Sequence, residues 1–161
     1  MKGIFTICWV LTILQLHAQE KIAGQYRDNF GSVITLNPDS TFAYTYHFDM
    51  VGTWTVGTYK IVNDTIFFNE VPVYDTVQFN RDKLGDSLVL SDDRKPERIA
   101  LDAFTNRFFS SSAQDRMSHP LVLIWRKNRL YTLDRHGKLN SKKIKAVTTG
   151  KKYVSWYEKV S

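Results

Sequence analysis

The chain has 161 residues, 43% of them hydrophobic and 14% aromatic, with a formal net charge of +6. That length suits one ordinary domain, long enough to bury a core without staples. A single cysteine, Cys8, excludes a disulfide framework and any thiolate metal site built from several cysteines.

The chain opens with an export pattern. Lys2 supplies a short positive region, Ile4 to Leu16 is an apolar run with only uncharged interruptions, and Leu16-His17-Ala18 ends on a small residue. This is a secretory signal peptide pattern, and the run is too short for a permanent membrane span. Cleavage is expected after Ala18, leaving residues 19–161 as a single exported domain, periplasmic or secreted. Cys8 leaves with the signal. It sits too early for a lipid anchor and lacks the small residues that such a site needs. No later stretch reaches transmembrane length. Charge is uneven: residues 19–115 sum to −5 and residues 116–161 to +10.

Short apolar or aromatic runs then alternate with turn signals, the rhythm of an all-β fold. Strands are expected near 23–27, 32–36, 41–48, 52–61, 65–70, 73–80, 87–91, 121–126, 129–134, 142–148 and 153–160. The fold class is mainly β. A single antiparallel meander of about 9–11 strands forms a barrel or half-barrel, with one helix near 96–109. Asn37-Pro38-Asp39-Ser40 reads as a turn. A three-residue loop, Asp49-Met50-Val51, would pair Tyr46 with Trp54 and Tyr44 with Val56. Asn63-Asp64 suits a two-residue hairpin turn, because both residues tolerate positive φ. It pairs Ile61 with Ile66 and Tyr59 with Phe68. Bringing Trp54 and Val56 to the same side as Tyr59 and Ile61 then requires a bulge near Gly57.

Pro96 suits a first helical turn, and Leu101, Phe104 and Phe108 follow at helical spacing. Ser110-Ser111-Ser112 opens a loop that runs to Pro120. Asp134 to Lys138 and the Gly150 region close later hairpins. Four triplets recur: Asp39-Ser40-Thr41, Asp64-Thr65-Ile66, Asp75-Thr76-Val77 and Asp86-Ser87-Leu88. They read as an acidic turn, a hydroxyl residue and a strand start. They also resemble O-glycosylation sequons of some Gram-negative exported proteins.

No catalytic set emerges. His47, His119 and His136 lie far apart, without the spacing of a metal ligand pair. Ser112, Asp115 and His119 are close in sequence, but no nucleophile elbow accompanies them. Asn80-x-Asp82 lacks the later ligands of a calcium loop. No phosphate-binding glycine loop is present. No catalytic residue, metal or cofactor is expected, and export removes the protein from nucleic acid.

Two features remain. Phe42, Tyr44, Tyr46, Phe48 and Trp54, joined by Tyr59 and Phe68, either form a filled core or line a ligand-holding interior. Buried tyrosine hydroxyls need partners, which a wet or liganded interior would provide. Lys142, Lys143, Lys145, Lys151 and Lys152 form a basic surface toward the C-terminal end. It is either a solvated face or a contact for an anionic envelope surface.

Ile22-Ala23-Gly24-Gln25-Tyr26, Ile34 to Phe42 and Gly52-Thr53-Trp54 together resemble small exported bacterial lipocalin-like (calycin-type) proteins, over roughly residues 22–70. Arg129-Leu130-Tyr131 through Gly137-Lys138-Leu139 is similar to their late hairpins. Tyr26 stands where the family usually has tryptophan, and the mid-chain helix is a departure. The resemblance implies a β-barrel that binds a small apolar or amphipathic ligand. The leading reading is therefore an exported, non-enzymatic barrel that binds such a ligand in an aromatic-lined interior, and the rival is an envelope interaction module that uses the basic strands on anionic glycan, lipid or a protein partner. A hydrolase is third.

Overall fold

Alternating burial shapes the first strands. In Ser32–Leu36 every second residue is buried, and Phe42 and Tyr44 continue the rule in the next strand. The structure is a computed structural model describing residues 21–78, 85–107, 112–115, 119–146 and 149–160. The expected signal peptide, the Asn80–Asp82 turn, Phe108 and the Ser110-Ser111 stretch lie outside these residues.

Fourteen strands are found among the described residues: β1 (Gly24–Arg27), β2 (Ser32–Leu36), β3 (Thr41–Phe48), β4 (Val51–Val62), β5 (Thr65–Glu70), β6 (Tyr74–Gln78), β7 (Ser87–Leu90), β8 (Arg98–Ala100), β9 (Ser112–Gln114), β10 (Val122–Arg126), β11 (Arg129–Tyr131), β12 (Lys143–Lys145), β13 (Lys152–Val154) and β14 (Tyr157–Lys159). One helix, α1 (Leu101–Arg107), lies between β8 and β9. Eight strands, β1 to β5, β10, β11 and β14, pair antiparallel in chain order. The pairing of β1 with β14 closes them into a barrel. Closure gives each of the eight two antiparallel neighbours and leaves an edge only along the first half of β4, where β5 does not reach.

An up-and-down ring sorts its connections by end. Tight turns at 37–40, 63–64 and 127–128 close one end. Asn63 and Asp64 both have positive φ, as do Lys127 and Asn128, the signature of hairpin turns matched to strand twist. The other end carries the 28–31 loop, the Asp49–Met50 turn and two long excursions, 71–121 and 132–156. In the first excursion β6 pairs antiparallel with β7 and parallel with β8. Strand β9 runs parallel to β4 beside Gly52–Trp54, along the edge that β5 leaves free. The second excursion is the β12–β13 hairpin. No helix among the described residues is long and apolar enough to cross a membrane.

The core lies inside the barrel. Tyr26, Ile34, Leu36, Ile66, Leu123 and Leu130 are fully buried, and Phe42, Tyr44, Tyr59 and Tyr157 pack with them. Each such side chain contributes about 1.5–3 kcal/mol relative to exposure.

The Asn63-Asp64 hairpin has the expected register, Ile61 to Ile66 and Tyr59 to Phe68. The β3–β4 register does not. Phe48 pairs with Val51 across a two-residue turn, so Trp54 faces Thr45, and Thr55 faces Tyr44. Thr55, Gly57, Tyr59 and Ile61 then share the inner face by simple alternation, and Gly57 pairs regularly with both Phe42 and Glu70 without a bulge. Its glycine has a packing reason. An added Cβ would overlap the Asn69 carbonyl oxygen and come within 2.8 Å of the Phe42 ring.

The helix is narrower than the spacing suggests. Residues 98–100 are strand, because β6 claims their backbone: Thr76 N–H donates to the Glu97 carbonyl, and Ile99 stands across from the buried Val77. Helix α1 buries no residue fully. The acidic triplets differ as well. Asp39 accepts from the Thr41 amide and hydroxyl, whereas Asp75 is a buried strand residue rather than a turn.

Candidate functional site

The aromatic candidates separate into three groups. Phe42, Tyr44 and Tyr59 are buried inside the barrel, and Tyr46 and Phe68 pack half-buried against them. The Phe68 ring meets Phe42 edge-on at 4.7 Å. Phe48 lies beyond the barrel rim and is 61% exposed. Trp54 is on the outer face, contrary to its expected place beside Tyr44. It is only 4% exposed because the first excursion covers it, and its indole N–H donates to the Asp92 carbonyl at 2.9 Å.

The tyrosine hydroxyls find partners within the protein. Tyr26 donates to the Ile22 carbonyl at 2.6 Å and Tyr59 to the Asn37 carbonyl at 2.7 Å. Tyr44 reaches the Ser32 hydroxyl at 3.3 Å. Burial raises the pKa of Tyr26, Tyr44 and Tyr157, so these groups act as neutral donors. Tyr59 is pushed up to about 12, first by burial and then by the charge of Asp39.

His119 closes the end of the barrel that carries the long excursions. It is buried beside Phe42 and Tyr44, and its Nε2 lies 2.9 Å from a Glu70 carboxylate oxygen. Ser112 pairs with Gly52 in the β9–β4 register, while the Asp115 carbonyl accepts from the Thr55 hydroxyl. His119 thus packs among the aromatic rings with Nε2 near Glu70, and neither of its ring nitrogens makes a hydrogen bond among the described residues. The space between Ile34, Phe42, Tyr44, Phe68, His119 and Pro120 has no room even for a water molecule. Small-molecule sites usually need about 300–1,000 Å³.

Outside the barrel, an open cleft of about 330 Å³ lies between the β3–β4 hairpin and the Asp92–Arg94 segment. His47 lines this cleft, and His136 sits in the exposed Asp134–Lys138 turn. No group of acidic residues, histidines and cysteines able to hold a metal is found among the described residues.

The five lysines are brought together on the second excursion. All are exposed. Lys143 stands across from Val154, and Lys145 directly across from Lys152. Residues in direct register share a face, so Lys143, Lys145 and Lys152 point the same way. Ile144 and Tyr153 occupy the other face, where Tyr153 packs edge-on against Phe30 at 6.1 Å. Ser155 adds a hydrogen bond to the Asn140 carbonyl. The hairpin is therefore anchored by one face and presents lysines on the other. None of the five lysines has an ion-pair partner among the described residues.

One cluster escaped the sequence. Arg126, Arg129, Glu158 and Arg27 stand side by side across β10, β11, β14 and β1. Their chain neighbours Trp125, Leu130, Tyr157 and Tyr26 all pack in the core, so the four face outward. The alternation in Arg129-Leu130-Tyr131 and Trp156-Tyr157-Glu158 was the available signal.

No family model, no curated protein and no solved structure matches the chain.

Proposed function

We propose that this is an exported, lipocalin-like barrel with a non-enzymatic role, docking on an anionic envelope surface through the β12–β13 hairpin. The observation that carries the reading is the cross-strand pair Lys145–Lys152, flanked by three more exposed lysines without acidic partners. Like charges directly opposite one another on a sheet are destabilising. An anion bound on that face reverses the penalty. The filled interior directs the reading outward. A small apolar ligand, the expectation that the lipocalin-like resemblance carries, would require Phe42, Phe68 and His119 to move apart. The hairpin needs no such rearrangement.

The test is co-sedimentation of the mature chain with vesicles containing phosphatidylglycerol and, separately, retention on an acidic polysaccharide gel. Binding that falls steeply as salt rises supports the reading, because exposed charges are screened beyond the Debye length. Absence of retention on both surfaces at low salt contradicts it.

A further inference from the structure

We propose that the outer wall of the barrel across β10, β11, β14 and β1 is a binding site for an acidic oligosaccharide. Arg27, Arg126 and Arg129 hold its anionic groups, and a sugar ring stacks on Trp156. The inference rests on the reading of the protein as a binder of anionic surfaces and names the chemistry of that surface.

Strand register alone builds the row. Arg126 stands across from Arg129, Arg129 across from Glu158, and Glu158 across from Arg27. Two arginines in direct opposition repel each other. Glu158 is the one acid in the row, and it is shared. One of its oxygens lies 3.3 Å from the Arg129 guanidinium and also accepts from the Trp156 indole N–H at 3.2 Å. Arg27 and Arg126 have no ion pair among the described residues, and both are exposed. The row therefore carries an excess of two positive charges. From Arg126 to Arg27 it crosses three inter-strand steps, roughly 14 Å. That span suits a chain of anionic groups better than a single ion.

The aromatic part adjoins it. The Trp156 ring lies 5.6 Å from Tyr131, tilted by 40°, with the Arg129 guanidinium 5.3 Å from its centroid. Planar guanidinium groups that donate to carboxylate or sulfate beside an aromatic face match an acidic sugar. A lipid would instead need apolar side chains standing free on the wall. Ile124, Tyr131 and Trp156 are half-buried there, and Val160, beside Glu158, is the exposed exception.

The experiment is calorimetric titration of the mature chain with tetragalacturonic acid, beside neutral tetragalactose and inorganic polyphosphate. The acidic sugar is expected to bind, and the neutral one is not. The Arg126→Gln/Arg129→Gln variant should lose about tenfold or more in affinity. Trp156→Leu should also weaken binding, and Lys60→Gln, on another strand, should not. Folding of each variant is checked by circular dichroism. Unchanged affinity in the folded arginine variant overturns the site. Polyphosphate binding equally well, with Trp156→Leu without effect, overturns the saccharide assignment. Chain that sediments with anionic vesicles yet ignores tetragalacturonic acid overturns this inference and leaves the hairpin reading standing.

Discussion

Trp54 donates its indole N–H to the Asp92 carbonyl at 2.9 Å, across 38 residues of chain. This contact fastens the first excursion to the outer wall of the barrel. Asp115 strengthens the same seam, its amide donating to the Trp54 carbonyl at 2.9 Å. Trp54→Phe keeps most of the packing and removes the donor, costing about 0.5–1.5 kcal/mol. Trp54→Ala should cost about 3–5 kcal/mol. Urea unfolding measures both. Hydrogen exchange should quicken first at β6 and β8, while β2 stays protected.

A second seam lies inside the excursion. Asp75 is buried, accepts from the Glu97 amide and is 2.8 Å from Arg107, which also reaches Glu97 at 2.7 Å. Arg107→Ala leaves a buried carboxylate with one amide donor. Asp75→Ala leaves a part-exposed guanidinium that keeps Glu97. The first should therefore be the more costly, at about 3 kcal/mol or more. In a double-mutant cycle the pair should cost less than the sum of the singles.

Alkaline pH tests the interior. The folded pKa of Tyr59, about 12, lies above its ordinary value of 10.0, and those of Tyr26, Tyr44 and Tyr157 are raised too. Between those values the unfolded chain loses protons that the folded chain keeps. Stability from these groups is thus fully present below pH 10 and is lost as pH rises toward 12. Each unit of difference is worth about 1.4 kcal/mol. Tyr59→Phe should cost stability at neutral pH and flatten the alkaline decline. Tyrosinate absorbance during titration should rise late and together with unfolding. Early tyrosinate formation in a protein that stays folded would contradict the packing described.

Gly57→Ala probes the closest approach in the barrel. The added methyl would overlap the Asn69 carbonyl oxygen and crowd the Phe42 ring. Overpacking of this kind costs about 1–3 kcal/mol, read as a lower thermal midpoint.

The local parts of this fold were readable in the residues. Asn63-Asp64 announces its hairpin because both side chains tolerate the positive φ that the turn needs. The lysine hairpin was readable because its two strands are neighbours in the chain. Asp49–Met50 was not, since methionine carries no turn signal, and the one-residue difference moved Trp54 from the inner face to the outer. The arginine row was also hidden. Four strands contribute one residue each, and β1 meets β14 only when the barrel closes. Likewise β8 is strand because β6 uses its backbone, a tertiary demand that overrides the helical spacing after Pro96.

Docking through the hairpin is decided by salt titration of binding to phosphatidylglycerol vesicles, a surface that the arginine wall is not expected to hold. Wild-type residues 19–161 are compared with a variant carrying glutamine at positions 142, 143, 145, 151 and 152. Wild type should be retained at low salt and released as the Debye length shrinks from about 30 Å toward 8 Å. The folded variant should not be retained at any salt. Equal retention of wild type and variant, or retention indifferent to salt, contradicts docking through the hairpin.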